Sequence, residues 1–153
     1  MNILKHLLLL VFVISSVCPA FSQIVEDPAV WKYEVKKTGP SAYDLIFHLN
    51  LKAPWHIWSL QPGGDGYEIA PSFTFDTDAH VIMIGSIVEK GKKTITKMEG
   101  IDGKVTFLTG KIDYVQHINV TAKRKITGKH EYQLCNDRMC LPPKVKDFVF
   151  EIR

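Results

Sequence analysis

The sequence contains few cysteines, few long apolar runs and no large excess of either positive or negative charge. It holds three cysteines in 153 residues, and 19 Lys and Arg against 16 Asp and Glu give a formal net charge of +3. No basic block is present, which argues against a nucleic-acid-binding surface. Beyond the amino-terminal 22 residues, no stretch is long and apolar enough to form a transmembrane helix, and none shows a sustained helical period.

The first 22 residues have the parts of a secretory signal peptide. A basic start precedes an apolar run from Leu7 to Ile14, which is too short to span a bilayer, and small residues suit cleavage before Gln23. Lipidation of Cys18 is the alternative. We predict a signal peptide over residues 1–22 and one soluble domain over residues 23–153, in the periplasm or secreted.

Strand signals dominate the predicted domain. In "AYDLIFHLNLK", residues 42–52, apolar side chains alternate with polar ones, which is the period of a half-buried strand. One face of this strand is predicted to carry Tyr43, Leu45, Phe47, Leu49 and Leu51. Further β-rich runs begin at Trp31, Trp55, Ser72, His80, Ile112, Lys129 and Asp147. Turn signals lie at 38–40, 62–66 and 127–128. This spacing predicts an all-β fold, an immunoglobulin-like antiparallel β-sandwich, with a barrel as the alternative.

"YQLCNDRMCLPP", residues 132–143, holds the two cysteines that remain after the predicted signal peptide. Because an exported chain meets an oxidising compartment, Cys135 and Cys140 are predicted to form a disulfide or a disulfide-forming dithiol. Residues 136–139 are predicted to form a hairpin loop, which brings residues on its two sides to about 4.5 to 5.5 Å at Cα. The double proline is expected to end the strand pairing, because neither residue offers an N–H group.

The residues alone leave three roles open for this pair. In the chain-entropy model, closing a ring of six residues stabilises a fold by only roughly 2 kcal/mol. A purely structural disulfide would therefore add little stability at this position. A short ring at the end of a hairpin is partly exposed, as thiol exchange requires. A metal site needs more ligands, for which the candidates are His56, His130 and Met139. The spacing favours a staple and a redox pair about equally, and a metal site less.

Three stretches together resemble the amino-terminal periplasmic domain of DsbD, the bacterial thiol:disulfide interchange protein. They are the cysteine block, "LKAPWHIWS" at residues 51–59 and "KDFVFEI" at residues 146–152. The resemblance runs from about Trp31 to Arg153. It implies an immunoglobulin-like fold in a domain that takes electrons from a thioredoxin-like domain. It also implies periplasmic acceptors, such as disulfide isomerases and the thioredoxins of cytochrome c maturation.

The resemblance assigns roles to individual residues. It makes Cys140 the sulfur that enters a mixed disulfide with a partner, and Cys135 the resolving thiol. The aromatic cluster near the family's active site falls on Trp55, His56 and Trp58. For these three side chains, and for Trp55 in particular, plain core packing is the alternative.

The resemblance also implies a loop that caps the disulfide. Its local match is "KMEGIDGK", residues 97–104, in which Ile101 replaces the family's aromatic cap residue and Glu99 is an acidic neighbour. A cysteine titrates near about 8.5, so exchange at useful rates needs a neighbour that favours the thiolate. The candidates are Arg138, Lys144 and His56, and for Lys144 plain solvation is the favoured alternative.

The function expected on these grounds is periplasmic thiol:disulfide exchange through Cys135 and Cys140, an oxidoreductase activity of the protein-disulfide reductase type. The expected partners are thioredoxin-like periplasmic proteins and a membrane electron donor. We expect a monomeric, stand-alone domain with no dissociable cofactor and no bound metal. A non-enzymatic binding or scaffold domain with a structural disulfide is the alternative, and metal handling at the envelope is a weaker one.

Overall fold

The computed structural model describes residues 27–76 and 78–153, so the predicted signal peptide, with Cys18, lies outside the described residues. Nine strands form in the described part. They are β1 (Ala29–Lys37), β2 (Ala42–Leu51), β3 (His56–Gly63), β4 (Ser72–Asp76), β5 (Val81–Thr96), β6 (Val105–Val120), β7 (Arg124–Tyr132), β8 (Leu134–Cys135) and β9 (Lys144–Ile152). Within these residues there is no helix long and apolar enough to cross a membrane.

The strands form two antiparallel sheets. The larger sheet has the order β1-β2-β6-β3-β8, with β5 paired along the other edge of β6, and the smaller one has the order β4-β7-β9. Strand β6 is long enough to hold two partners on one edge, because β2 pairs with its residues 111–119 and β3 pairs with residues 105–109. The tip of the hairpin between β5 and β6 therefore lies beside β3, which in turn pairs with β8.

The hydrophobic core lies between the two sheets. The predicted alternation in β2 is confirmed, because Tyr43, Leu45, Phe47, Leu49 and Leu51 are all buried. Rings from the smaller sheet surround Phe47 at centroid distances of 4.8 Å (Phe73), 4.9 Å (Phe148) and 5.0 Å (Phe150). The prediction of an all-β, immunoglobulin-like sandwich is confirmed.

The run that begins at Lys129 is not the single strand that its alternation predicts. The chain leaves the smaller sheet after Tyr132 and enters the larger one at Leu134. Gln133 lies at this crossing, and its side-chain Nε2 donates a hydrogen bond of 3.0 Å to the carbonyl of Leu141. The cysteine strand therefore belongs to the opposite sheet from the strand that leads into it.

The turn predicted at residues 127–128 is wrong. Both residues lie inside β7, where Gly128 pairs with Phe75 on one side and Phe148 on the other. The glycine is present because the strands leave no room for a side chain, and not because the chain turns there.

The burial of His130 in the core gives the fold a pH dependence. Its side chain is 1% exposed, contacts the Trp31 ring at 4.3 Å between centroids, and shares a 2.9 Å hydrogen bond between Nε2 and the Tyr33 hydroxyl. Burial, with a smaller contribution from Lys146, lowers the pKa of His130 to about 4. In the unfolded chain a histidine titrates near about 6.5, so the unfolded state binds more protons between these two values.

We therefore expect His130 to lower the free energy of unfolding by about 3 kcal/mol as the pH falls from about 6.5 to about 4. The variant His130→Gln keeps a partner for Tyr33 but does not titrate. It should be less stable than the wild type at neutral pH and lose less stability on acidification. Urea unfolding at a series of pH values measures both. A stability difference between the two proteins that stays constant with pH would contradict this expectation.

Candidate functional site

The two cysteines form a disulfide across the hairpin loop that the sequence predicts. Cys135 ends β8, Cys140 pairs with it as an isolated bridge, and their Cα atoms are 4.0 Å apart. The loop has its own hydrogen bonds. The Asn136 side-chain oxygen accepts bonds of 2.9 Å from the N–H groups of Arg138 and Met139, and the Asn136 N–H donates to the Met139 carbonyl at 2.9 Å. The side chain of Asn136 thus shapes the loop between the two sulfurs.

The two cysteines differ in their exposure to solvent. Cys135 is 2% exposed, whereas Cys140 is an exposed residue. The loop residues just before Cys140 are exposed as well, including Met139 at 54%. A thiolate from outside can therefore approach the disulfide from the Cys140 side, while the Cys135 side is covered by protein.

The cover on Cys135 is a second small hydrophobic cluster, on the outer face of the larger sheet. Because side chains alternate along a strand, Ile57 of β3 and Leu134 of β8 point into the sandwich core, and Trp58 and Cys135 point away from it. The outer cluster, which we call the cap cluster, consists of Trp58, Val105 and Cys135 with partly buried Met98, Ile101 and Phe107.

Residues 97–104, which the resemblance assigns to the cap, form the turn that joins β5 to β6. The Ile101 N–H donates a 3.3 Å hydrogen bond to the Met98 carbonyl, and both side chains pack against the cap cluster. Glu99 lies in the same turn and lines a cavity of about 500 Å³ next to the disulfide loop. The cavity is also lined by His56, Met98, Ile101, Asn136 and Asp137.

His56 is buried in the wall of this cavity. It is 4% exposed, its backbone pairs with that of Cys135, and its ring lies 4.4 Å from Phe107 and 5.3 Å from Trp58 between centroids. Its Nε2 atom is buried and has no hydrogen-bond partner among the described residues. Burial lowers the pKa of His56, against a smaller opposing effect of the Asp137 carboxylate. The imidazole is therefore neutral at pH 7.

The other predicted residues lie in different surroundings. Trp55 packs against the sandwich core, not in the cap cluster, so the alternative of plain packing describes it. Arg138 is exposed in the disulfide loop. The Lys144 ammonium group lies 3.3 Å from the Asp27 carboxylate, which also accepts a 2.7 Å hydrogen bond from Tyr132. Lys144 is thus engaged in an ion pair and is not plainly solvated.

The candidate metal ligands do not assemble. His130 belongs to the sandwich core and His56 to the wall of the cavity beside the loop. Over residues 27–76 and 78–153, no group of three or more His, Cys, Asp or Glu side chains is placed to hold a metal ion.

Phe107 lies outside every predicted part of this site, whereas Met98 and Asp137 belong to the predicted cap stretch and disulfide loop without being singled out there. Phe107 pairs with Trp58 across the sheet and packs on His56, and Met98 covers the cluster from the turn. One signal was available for Phe107. Phe107 is followed by Leu108, and two successive apolar residues in a strand indicate apolar contacts on both faces of the sheet. In the structure, Leu108 is fully buried in the sandwich core and Phe107 lies on the opposite face.

Comparisons with known proteins give the fold. No family model matches the sequence, and no curated protein sequence matches it. Several solved structures are similar, among them two N-terminal domains. One is the N-terminal periplasmic domain of ScsB from Proteus mirabilis, with a TM-score of 0.59, 12% identity and 82% of this chain covered. This chain spans 46% of its length.

The second is the reduced form of the DsbD N-terminal domain from Neisseria meningitidis, with a TM-score of 0.52 and 11% identity. The match covers 79% of this chain and 84% of that domain. The all-β architecture and antiparallel sheets of the described residues match the fold of the DsbD domain. The chain therefore has the immunoglobulin-like fold of the DsbD amino-terminal domain.

Proposed function

We propose that this chain is a periplasmic thiol:disulfide exchange domain, an oxidoreductase that carries two electrons through Cys135 and Cys140. One observation carries the proposal: a disulfide between a buried cysteine and an exposed one, at a hairpin end of a domain with the DsbD amino-terminal fold. A disulfide that served only as a staple would have no need of this asymmetry. Closing so small a ring also stabilises a fold by only roughly 2 kcal/mol.

In the proposed reaction, the exposed Cys140 is the sulfur that exchanges with partners. In the reduced domain, the Cys140 thiolate attacks a sulfur of the partner's disulfide, and a mixed disulfide forms as one partner thiolate leaves. Cys135 then attacks Cys140, the intramolecular disulfide forms, and the second partner thiolate leaves. The domain has lost two electrons and the partner has gained them. Reduction of the domain by its donor runs the same steps in reverse.

The neighbours of the pair have proposed roles that follow their positions. Ile101 and Met98 cover Cys135 as a cap, and Trp58 packs in the same cluster. The exposed Arg138 lies two residues before Cys140 and would favour its thiolate by charge. Glu99 gives the cap an acidic side at the cavity. No cofactor or metal takes part.

The proposed partners are thioredoxin-like periplasmic proteins, including those of disulfide isomerisation and cytochrome c maturation, and a membrane protein that supplies electrons. The proposed acting form is a monomer, exported by the predicted signal peptide. An exposed apolar side chain next to the reacting sulfur, Met139, suits contact with such a partner.

Redox titration combined with stopped-flow exchange tests the proposal. The purified domain is equilibrated against glutathione and then mixed with a reduced thioredoxin-like protein, and the tryptophan signal follows electron transfer. We expect measurable reduction of the domain by that protein. The proposal would be overturned if the reduction potential of the cysteine pair were so low that no thioredoxin-like protein could reduce the disulfide at a measurable rate. Partner binding that survives replacement of both cysteines by serine would favour a binding domain instead.

A further inference from the structure

His56 faces the resolving cysteine in a way that a packing role does not explain. The two residues are direct partners across the pair of strands β3 and β8, and directly opposed side chains share a face at about 4.5 to 5.5 Å between Cβ atoms. The imidazole is 4% exposed, yet its Nε2 has no partner in the described, disulfide-bonded chain. Leaving a buried polar atom unpaired is unfavourable, because its hydration is lost and no hydrogen bond replaces it. Reduction of the disulfide creates a new S–H group on Cys135, the residue that pairs directly with His56 across the two strands.

We propose that His56 is a catalytic residue that takes the proton of the Cys135 thiol during resolution of the mixed disulfide and returns it in the reverse direction. This inference rests on the proposed exchange function and deepens it, because it assigns the proton transfer of the second step to one side chain.

Resolution needs such a group because Cys135 is buried among apolar side chains. Burial disfavours the thiolate form, and the thiolate is the nucleophile. In the proposed step, the Cys135 S–H gives its proton to His56 Nε2 and its sulfur attacks Cys140 Sγ. The bond between Cys140 and the partner's sulfur breaks, and the partner leaves as a thiolate that takes the proton from the imidazolium. The cysteine pair is oxidised by two electrons, the partner's disulfide is reduced, and the proton is accounted for.

The surroundings of His56 suit this task. Phe107 and Trp58 contact the ring on the face of the sheet that also carries Cys135, which restricts its rotation. Burial keeps the imidazole neutral at pH 7 by lowering its pKa, so it is present as the proton acceptor.

The titratable groups around His56 are few. Besides Cys135, the carboxylates of Asp137 in the disulfide loop and Glu99 in the cap turn line the adjoining cavity. The third neighbouring strand, β6, places the neutral side chains of Phe107 and Thr109 beside it. The Asp137 carboxylate favours the imidazolium that forms in the reaction, and the cavity gives the proton a route to solvent.

The test follows the two chemical steps separately with a reagent that needs no biological partner. Reduced full-length mature protein is mixed in a stopped-flow instrument with excess dithiobis-nitrobenzoate, an aromatic disulfide that releases a coloured thiolate. The first release reports attack by Cys140, and the second reports resolution by Cys135. The variants are His56→Phe, which keeps the aromatic packing, and His56→Gln, which keeps a hydrogen-bonding group that cannot accept a proton at this pH. His117→Gln, at an exposed strand position paired with Asp44, is the matched control.

We expect both His56 variants to slow the second release by about 100-fold at neutral pH, the usual size of a general acid–base contribution. The first release should stay within about twofold of the wild type, and the control should match the wild type in both steps. In the wild type the second rate should level off above the pKa of His56, whereas in the variants it should keep rising with pH.

Equal slowing of both steps, or no slowing of the second, would overturn the proposal. So would a wild-type rate in His56→Gln, because a hydrogen bond alone would then suffice. Circular dichroism shows which of the two His56 variants is folded. A single folded variant is sufficient for the test. Because the reagent reports on the cysteine pair itself, these outcomes are separate from failure of exchange with thioredoxin-like proteins.

Discussion

Cys140→Ser is expected to abolish thiol:disulfide exchange, whereas Cys135→Ser is expected to start exchange and fail to complete it. The reason is the difference in burial: Cys140 is exposed and Cys135 is 2% exposed beneath Trp58, Met98 and Ile101. A lone Cys140 can attack a partner's disulfide but has no second thiol to release the product. Cys135→Ser expressed in its native cell should therefore accumulate mixed disulfides, and mass spectrometry of the trapped species identifies the partners. We expect the trapped partners to be thioredoxin-like proteins.

A control without any partner checks the same asymmetry. Iodoacetamide should alkylate Cys140 in the Cys135→Ser protein on the order of 100-fold faster than it alkylates Cys135 in the Cys140→Ser protein, because burial limits both access and thiolate formation. Similar alkylation rates in the two proteins would contradict the assignment of Cys140 as the exchanging sulfur. Repeated traps that recover no thioredoxin-like protein would favour the binding-domain alternative over exchange.

Much of this site follows from the sequence, because its parts are local. The disulfide depends on two cysteines across a short loop, and the alternation in β2 depends only on neighbouring residues. The placement of the cap cluster depends instead on β6, which extends seven residues before the predicted start at Ile112 and brings Phe107 against Trp58. Alternation within one run does not say which sheet that run joins. For this reason the change of sheet at Gln133, which puts Cys135 on the outer face, was not predicted.

The same limit explains the error at Gly128. A glycine after threonine is typical of a turn, and the local sequence holds no trace of the two strands that approach it from either side. Its role is set by Phe75 and Phe148, which are distant in the chain and become neighbours only when β4 and β9 pair with β7. A glycine that is needed because a side chain would not fit, and not because of its backbone conformation, is recognised only from the packed structure.

Gly128→Ala is therefore expected to destabilise the fold severely, by about 3 kcal/mol or more, which is at or beyond the upper end of overpacking effects in cores. An added methyl group would collide with the carbonyl oxygen of Thr74, lie 2.5 Å from Phe148 Cζ and lie 3.0 Å from Phe75 Cα. The aromatic ring can rotate or shift, but the two backbone atoms belong to a paired strand. Relief then requires β4 to separate from β7, and that loses the burial of Phe73 and Phe75 in the core.

The matched control is Gly85→Ala, where an added methyl group meets nothing within 4 Å but the backbone has a φ of +64°. It should cost only about 1 to 2 kcal/mol, the price of a left-handed conformation for a residue with a Cβ. Urea unfolding followed by tryptophan fluorescence compares the two. The double variant Gly128→Ala with Phe148→Leu separates the causes, because it removes the ring contact and leaves the collision with Thr74. We expect little recovery of stability in the double variant. Recovery to the level of Phe148→Leu alone would assign the glycine to the ring, and equal stability of Gly128→Ala and Gly85→Ala would refute the requirement for space at β7.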